Sequence, residues 1–218
     1  MPPYDDLKAR LDHVWAEIRK SGGSDSIRIV AVTKTHPIEA VVAAAEAGLV
    51  DVGENYADEL ADKAVQADRL GLQVRWHYIG AIQSRRLRSI CEHAAVIETV
   101  SRPRELEMMA DFGYGGELLI QVAPPGHPEG RNGADASEIA GLLALSRDLG
   151  LNVVGLMGMA MPGSIESIRD YFETVFGLGT TLGLREYSMG MSADYQVAVA
   201  QGATMVRLGS VLFGARGQ

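Results

Sequence analysis

Eight short apolar runs recur along this chain, nearly every one followed by a polar, amphipathic stretch, and this alternation is what most restricts its fold. The runs cover residues 27–34, 50–53, 76–80, 95–100, 117–122, 153–157, 186–189 and 204–208. Most are β-branched and too short for helices, as parallel strands buried on both faces should be. Between them, residues 37–47, 56–70, 102–112, 137–149, 165–177 and 193–201 carry helical patterning. A leading helix is predicted over 4–20, where Leu7, Leu11, Val14, Trp15 and Ile18 fall at helical spacing. Pro37 stands where a helix start tolerates proline, and Gly48, Gly71 and Gly150 stand where helices commonly stop. About eight strands with intervening helices predict an α/β fold, a single (β/α)8 or TIM barrel spanning residues 1–218. A doubly wound open sheet is the alternative arrangement of the same elements.

Composition enters through what it excludes. With a formal net charge of −8, the surface repels polyphosphate, so nucleic acid is not an expected partner. Cys91 is the sole cysteine, which rules out an intrachain disulfide and paired-thiolate zinc clusters and suits a reducing cytoplasm. The first residues are acidic and amphipathic, unlike a signal peptide, and no apolar run is long enough to span a bilayer.

In such a barrel the chemistry collects where strands end. Lys34 closes the first apolar run, whereas Lys8, Lys20 and Lys63 lie on helical stretches or their ends, where exposure is the default. A lysine after Ile29-Val30-Ala31-Val32 is costly to keep charged, so its pKa should fall, and a neutral amine is what Schiff-base chemistry requires. The plainer reading is a lysine that has reached solvent at a strand end. Asn55, after the second strand, either aims its amide at a ligand or caps a helix. His77, in the third strand, is either an acid–base group or a satisfied structural histidine, and the basic run 83–88 reads as a solvated helix face.

The last two strands carry an anion signal. Ser192 is expected as a helix N-cap, Gly209 admits close backbone approach, and Ser210 adds a hydroxyl, at loops where barrels commonly bind phosphate with help from a helix dipole. Arg207 lies among buried strand residues and cannot shed its charge, so it needs a carboxylate, a phosphate or a ring nitrogen. A purely structural ion pair is the alternative.

The segments AVTKTHP (31–37), GENYADE (53–59), WHYIGAIQSRR (76–86), GLMGMA (155–160) and YSMGMSADYQVAVAQGATMVRLGSVLFGAR (187–216) occur in this order. In their sequence and spacing, over residues 27–216, the chain closely resembles the pyridoxal phosphate homeostasis proteins. The resemblance implies a fold like the N-terminal barrel of alanine racemase. It further implies pyridoxal 5′-phosphate as cofactor, held as an internal aldimine on Lys34. Asn55 would lie beside the pyridine ring, Ser192, Gly209 and Ser210 would bind the phosphate, and Arg207 would face the pyridine nitrogen. An arginine there leaves that nitrogen unprotonated and the ring a poor electron sink. Racemisation also needs a second base, and the sequence is expected to hold no domain beyond the barrel to supply it.

The resemblance therefore implies a monomeric carrier and regulator of vitamin B6, with apo pyridoxal-phosphate enzymes as partners and little or no turnover. The rivals are an amino-acid racemase and a cofactor-free Schiff-base aldolase. Two departures from the family pattern stand out. Ala81 replaces a common histidine, and Arg85-Arg86 ends that motif. In the loop 123–133, Glu129 is followed by Arg131 where a lysine is common; an arginine can hold a phosphate but cannot form an imine.

Overall fold

Every strand of the sheet is paired on both sides. In a computed structural model, described over residues 4–126 and 133–214, eight parallel strands close into a barrel in chain order. The strands are β1 Arg28–Val32, β2 Asp51–Glu54, β3 Arg75–Tyr78, β4 Val96–Val100, β5 Glu117–Val122, β6 Asn152–Gly158, β7 Glu186–Met189 and β8 Met205–Leu208. Closure comes from β1 pairing with β8, Val30 opposite Arg207 and Ala31 opposite Leu208. The open-sheet alternative is thereby excluded. All eight runs read from the sequence became strands, although β1 stops at Val32, so Lys34 sits in the following turn and not on the strand itself.

The helices among the described residues are α1 Leu7–Lys20, α2 Ile38–Glu46, α3 Ala57–Arg69, α4 Leu87–His93, α5 Pro103–Asp111, α6 Ile139–Asp148, α7 Ile165–Thr181, α8 Tyr195–Ala200 and α9 Ser210–Phe213. Gly48, Gly71 and Gly150 each follow a helix with positive φ. Helix α7 runs four residues past its expected end at Gly177, and its Gly179 packs on Tyr187, where a Cβ would meet the ring at 2.4 Å. Helices α4 and α9 are too short to show a sequence period.

Apolar side chains fill two separate spaces. Between sheet and helices lie Leu60, Leu87, Leu106, Phe172 and their neighbours. Inside the barrel a smaller layer of Val30, Val96, Leu119, Met157 and Met205 packs together. Strand side chains alternate between faces. Two residues on from Val96 and Met205, the same inner face therefore presents Glu98 and Arg207, both buried. This polar layer forms the floor beneath the C-terminal mouth of the barrel.

Candidate functional site

A cavity of about 300 Å3 opens at that mouth, and Lys34, Asn55, Ser192, Arg207, Gly209 and Ser210 all line it. The barrel brings them together from the ends of β1, β2, β7 and β8, across up to 176 positions of sequence (Lys34 to Ser210).

Lys34 leads off a tight turn. Its neighbour Thr35 has φ 64°, a left-handed conformation that costs a β-branched residue about 1–3 kcal/mol. That turn is held by the Thr35 N–H donating to Glu59 Oε2 at 2.8 Å and the His36 N–H donating to the Thr33 carbonyl at 3.0 Å. Lys63, expected to be exposed on a helix, is instead 5% exposed. It is correctly placed on α3, but on the face turned toward β1 and β2, where its ammonium reaches Thr33, Glu54 and Glu59.

Asn55 does not cap a helix; the N-cap position of α3 is Tyr56. Its side-chain oxygen Oδ1 is buried and has no hydrogen-bond partner, the state of a group shaped for a ligand. The backbone of Asn55 presses so closely on Gly80 that a Cβ there would stand 1.8 Å from the Asn55 carbonyl. Gly80 in turn is held by Thr99 Oγ1, which donates to its carbonyl at 2.6 Å.

Ser192 also departs from its expected role. The N-cap position of α8 is Asp194, whose Oδ1 accepts from the Met191 N–H at 2.6 Å, so a carboxylate already occupies that helix start. Ser192 Oγ instead accepts from the N–H groups of Gly209 and Val211, each at 3.3 Å. It thereby ties the β7 loop to the β8 loop and retains its own hydroxyl proton for an anion. Since α9 is a single turn, its dipole is small, and the hydroxyls of Ser192 and Ser210 are polar groups that these loops bring to the cavity.

Arg207 is 3% exposed and lines the cavity, and its hydrogen-bond partners are protein groups, as in the structural ion-pair alternative. Its Nη1 donates to the Ser188 carbonyl and to Ser188 Oγ, each at 2.7 Å, and its Nη2 donates to the Gly158 carbonyl at 2.9 Å. Glu98 Oε2 lies 3.9 Å from Nη1. These three bonds engage three of the five guanidinium donors. Glu98 accepts from Ser188 at 2.6 Å and pairs with His77 Nδ1 at 2.7 Å, while His77 Nε2 reaches Asp51 at 2.8 Å. Burial pushes the Glu98 carboxyl up, but His77, Arg207 and Ser188 together hold it below its ordinary range. Burial alone would lower His77, yet its two carboxylate partners raise it above the ordinary value. His77 does not line the cavity and is the structural histidine of the two readings.

An amine, a two-sided hydroxyl at a loop junction, an orphan amide oxygen and a buried guanidinium suit a phosphorylated, nitrogen-containing aromatic aldehyde. Sequence comparison bears directly on that fit. The profile of the family described as alanine racemase, N-terminal domain, matches residues 7–217. The chain is 34% identical over 215 residues to the pyridoxal phosphate homeostasis protein of Pseudomonas aeruginosa, covering 92% of this chain and 90% of that one. It is 33% identical over 228 residues to the protein of the same name from Vibrio alginolyticus, covering 96% and 97%.

The chain belongs to the pyridoxal phosphate homeostasis family.

Among solved structures, PipY of Synechococcus elongatus PCC7942 with PLP bound superposes with a TM-score of 0.85 at 29% identity, over 95% of this chain and 100% of that one. Four further cavity residues are not marked by strand ends but fall within the homeostasis-family motifs. His36, Met157, Met159 and Met191 line the cavity from within the segments 31–37, 155–160 and 187–216. Charged residues inside apolar runs, Glu98 above all, were the signal for the polar floor. Ala81, Arg85 and Arg86 are exposed, away from the cavity lining, and Arg86 pairs with Asp58 at 2.9 Å. Glu129 and Arg131 lie outside the described residues.

Proposed function

We propose that this protein binds pyridoxal 5′-phosphate in the barrel-mouth cavity, attached through Lys34, and acts in homeostasis of the cofactor more than in turnover. The observation that carries this reading is the convergence of Lys34, Asn55, Ser192, Arg207, Gly209 and Ser210 on one cavity. When bound, the cofactor would supply an aldehyde to which the Lys34 amine can attach with release of one water. The protein's part is to bind and orient. Ser192, Gly209 and Ser210 would hold the phosphate, Asn55 would face the ring, and Arg207 would donate to the pyridine nitrogen. A donor that keeps its own proton leaves that nitrogen unprotonated, which disfavours carbanion chemistry and racemase activity.

We take residues 1–218 as one monomeric unit that works in the cytoplasm and passes cofactor to apo-enzymes. Cys91 is a free, half-buried thiol, which suits a reducing compartment.

The test is spectroscopic. The purified protein incubated with pyridoxal 5′-phosphate should absorb in the visible, and borohydride reduction should fix a phosphopyridoxyl mass on Lys34. Lys34→Ala should remain colourless. An adduct mapped to another residue, or none, overturns the site. Robust steady-state interconversion of amino-acid enantiomers, dependent on Lys34, overturns the homeostatic role.

A further inference from the structure

Lys34 is flanked on both sides by residues tied to one ionic cluster, buried at Glu54 and Lys63 and partly exposed at Glu59. On the N-terminal side, the Thr33 carbonyl accepts from Lys63 Nζ at 2.8 Å, and Thr33 Oγ1 donates to Glu54 Oε1 at 2.6 Å. On the C-terminal side, the Thr35 N–H donates to Glu59 Oε2 at 2.8 Å. Lys63 joins the halves, donating also to Glu54 Oε1 at 2.6 Å and to Glu59 Oε2 at 3.2 Å. Its three ammonium protons thus have three acceptors, which is how a buried lysine keeps its charge.

This cluster is an uneconomical way to support a turn, since ions removed from water are poor sources of stability. Its geometry suggests a different use. Glu59 and Lys63 stand four residues apart on α3 and so share the face toward the β1–α2 turn. Thr35, one residue past Lys34, has φ 64°. Without an anchor on its N–H, a threonine would relax toward negative φ. That rotation would turn the peptide next to Lys34 and redirect its side chain. Glu59 is the acceptor that prevents it. Burial pushes its carboxyl up, but the Thr35 N–H and Lys63 hold it below the ordinary range, so it is ionised at neutral pH. Helix α3 begins two residues after Asn55, so one element sets both Asn55 and the anchor of Lys34.

We infer that Glu59 and Lys63 are positioning residues that clamp the left-handed turn at Thr35 and so hold the Lys34 amine over the cavity. The inference rests on the reading of Lys34 as the attachment site.

Because strain at Thr35 is what the clamp opposes, glycine at that position should make the clamp dispensable. The full-length protein and the variants Glu59→Ala, Thr35→Gly and Thr35→Gly/Glu59→Ala are titrated with pyridoxal 5′-phosphate. Visible absorbance, the borohydride-fixed mass on Lys34 and the melting temperature of the free protein are read for each. Glu59→Ala should weaken binding about tenfold, while the double variant binds within about threefold of Thr35→Gly. Glu59→Gln, which keeps an acceptor oxygen, should recover most of the loss. The clamp is refuted if Glu59→Ala binds within about twofold of the parent protein. It is refuted equally if Glu59→Ala costs as much in the Thr35→Gly background as alone, since a general loss of stability has no reason to vanish there. If the unmodified protein carries its adduct elsewhere than Lys34, the attachment site fails, whatever the variants do.

Discussion

Arg207 Nη1 donates to Ser188 Oγ over 2.7 Å, and that hydroxyl hands its own proton to Glu98 Oε2 at 2.6 Å. A neutral side chain therefore bridges a fully buried cation and a fully buried anion whose nearest charged atoms are 3.9 Å apart. Direct contact would neutralise the guanidinium more completely. Through Ser188 the carboxylate offsets much of its charge without a direct contact to the guanidinium.

Removing the bridge should be costly. Ser188→Ala leaves Glu98 Oε2 and one Arg207 donor short of a partner in the barrel interior, although the Ser188 main-chain carbonyl is retained. A loss of about 1–3 kcal/mol in unfolding free energy is expected from urea denaturation. A change within 0.5 kcal/mol, the range of an ordinary surface substitution, would show that the bridge carries no weight.

Ser192 joins two loops at the proposed phosphate position. Ser192→Ala deprives the Gly209 and Val211 amides of their acceptor and the phosphate of a hydroxyl donor. Affinity for pyridoxal 5′-phosphate should fall about tenfold or more, the value of one hydrogen bond to a charged group. Affinity for pyridoxal, which lacks the phosphate, should change much less. Equal losses for both ligands would place the phosphate elsewhere.

The buried histidine predicts a stability optimum in pH. His77 faces Asp51 and Glu98, with Arg75 beside Asp51 and Arg207 beside Glu98. Its folded pKa is raised, so its contribution is complete below the unfolded value of about 6.5 and is lost as pH rises through the folded value. Asp51 and Glu98 are lowered against the pull of burial, so their contribution is present above about pH 4 and is lost as pH falls through their folded values. The melting temperature should peak between those limits. Proton NMR of the His77 ring is the direct check: a midpoint below 6.5 contradicts the arrangement.

Two glycines should respond oppositely to alanine. At Gly80 the new methyl would overlap the Asn55 carbonyl, and displacing that backbone should cost at least about 1–3 kcal/mol and weaken cofactor binding. At Gly177, within α7 and facing open space, alanine should stabilise by about 0.5–1 kcal/mol through helix propensity alone. Thermal melts of the two variants, run side by side, decide the point. Similar losses in both would mean that the close approach of Asn55 is not what Gly80 serves.

Much of the candidate site's lining was legible because a parallel barrel places strand ends on one face. Lys34, Asn55 and Arg207 each follow or close a short apolar run, and the motifs around Ser192, Gly209 and Ser210 are contiguous in sequence. Individual hydrogen bonds were not legible in the same way. Ser192 has the look of a helix cap, yet its partners lie 17 and 19 residues away on another loop. Asp194, two residues on, holds the N-cap position, and its carboxylate turns back to the Met191 N–H. Lys63 has the look of a solvated helical lysine, because nothing local shows that its face of α3 is turned inward.

What the sequence determined alone is the count, order and type of the strands, and with them the face on which chemistry gathers. Those follow from burial patterns a few residues long, and the family motifs add which strand ends matter. Closure of β1 against β8 and the polar floor of His77, Glu98, Ser188 and Arg207 were decided only in three dimensions. So was the clamp that links Glu59 and Lys63 to the turn carrying Lys34. The physical reason is that a buried charge is tolerable only beside its partners, and those partners are set by the register and curvature of the closed sheet, which no local stretch of sequence contains.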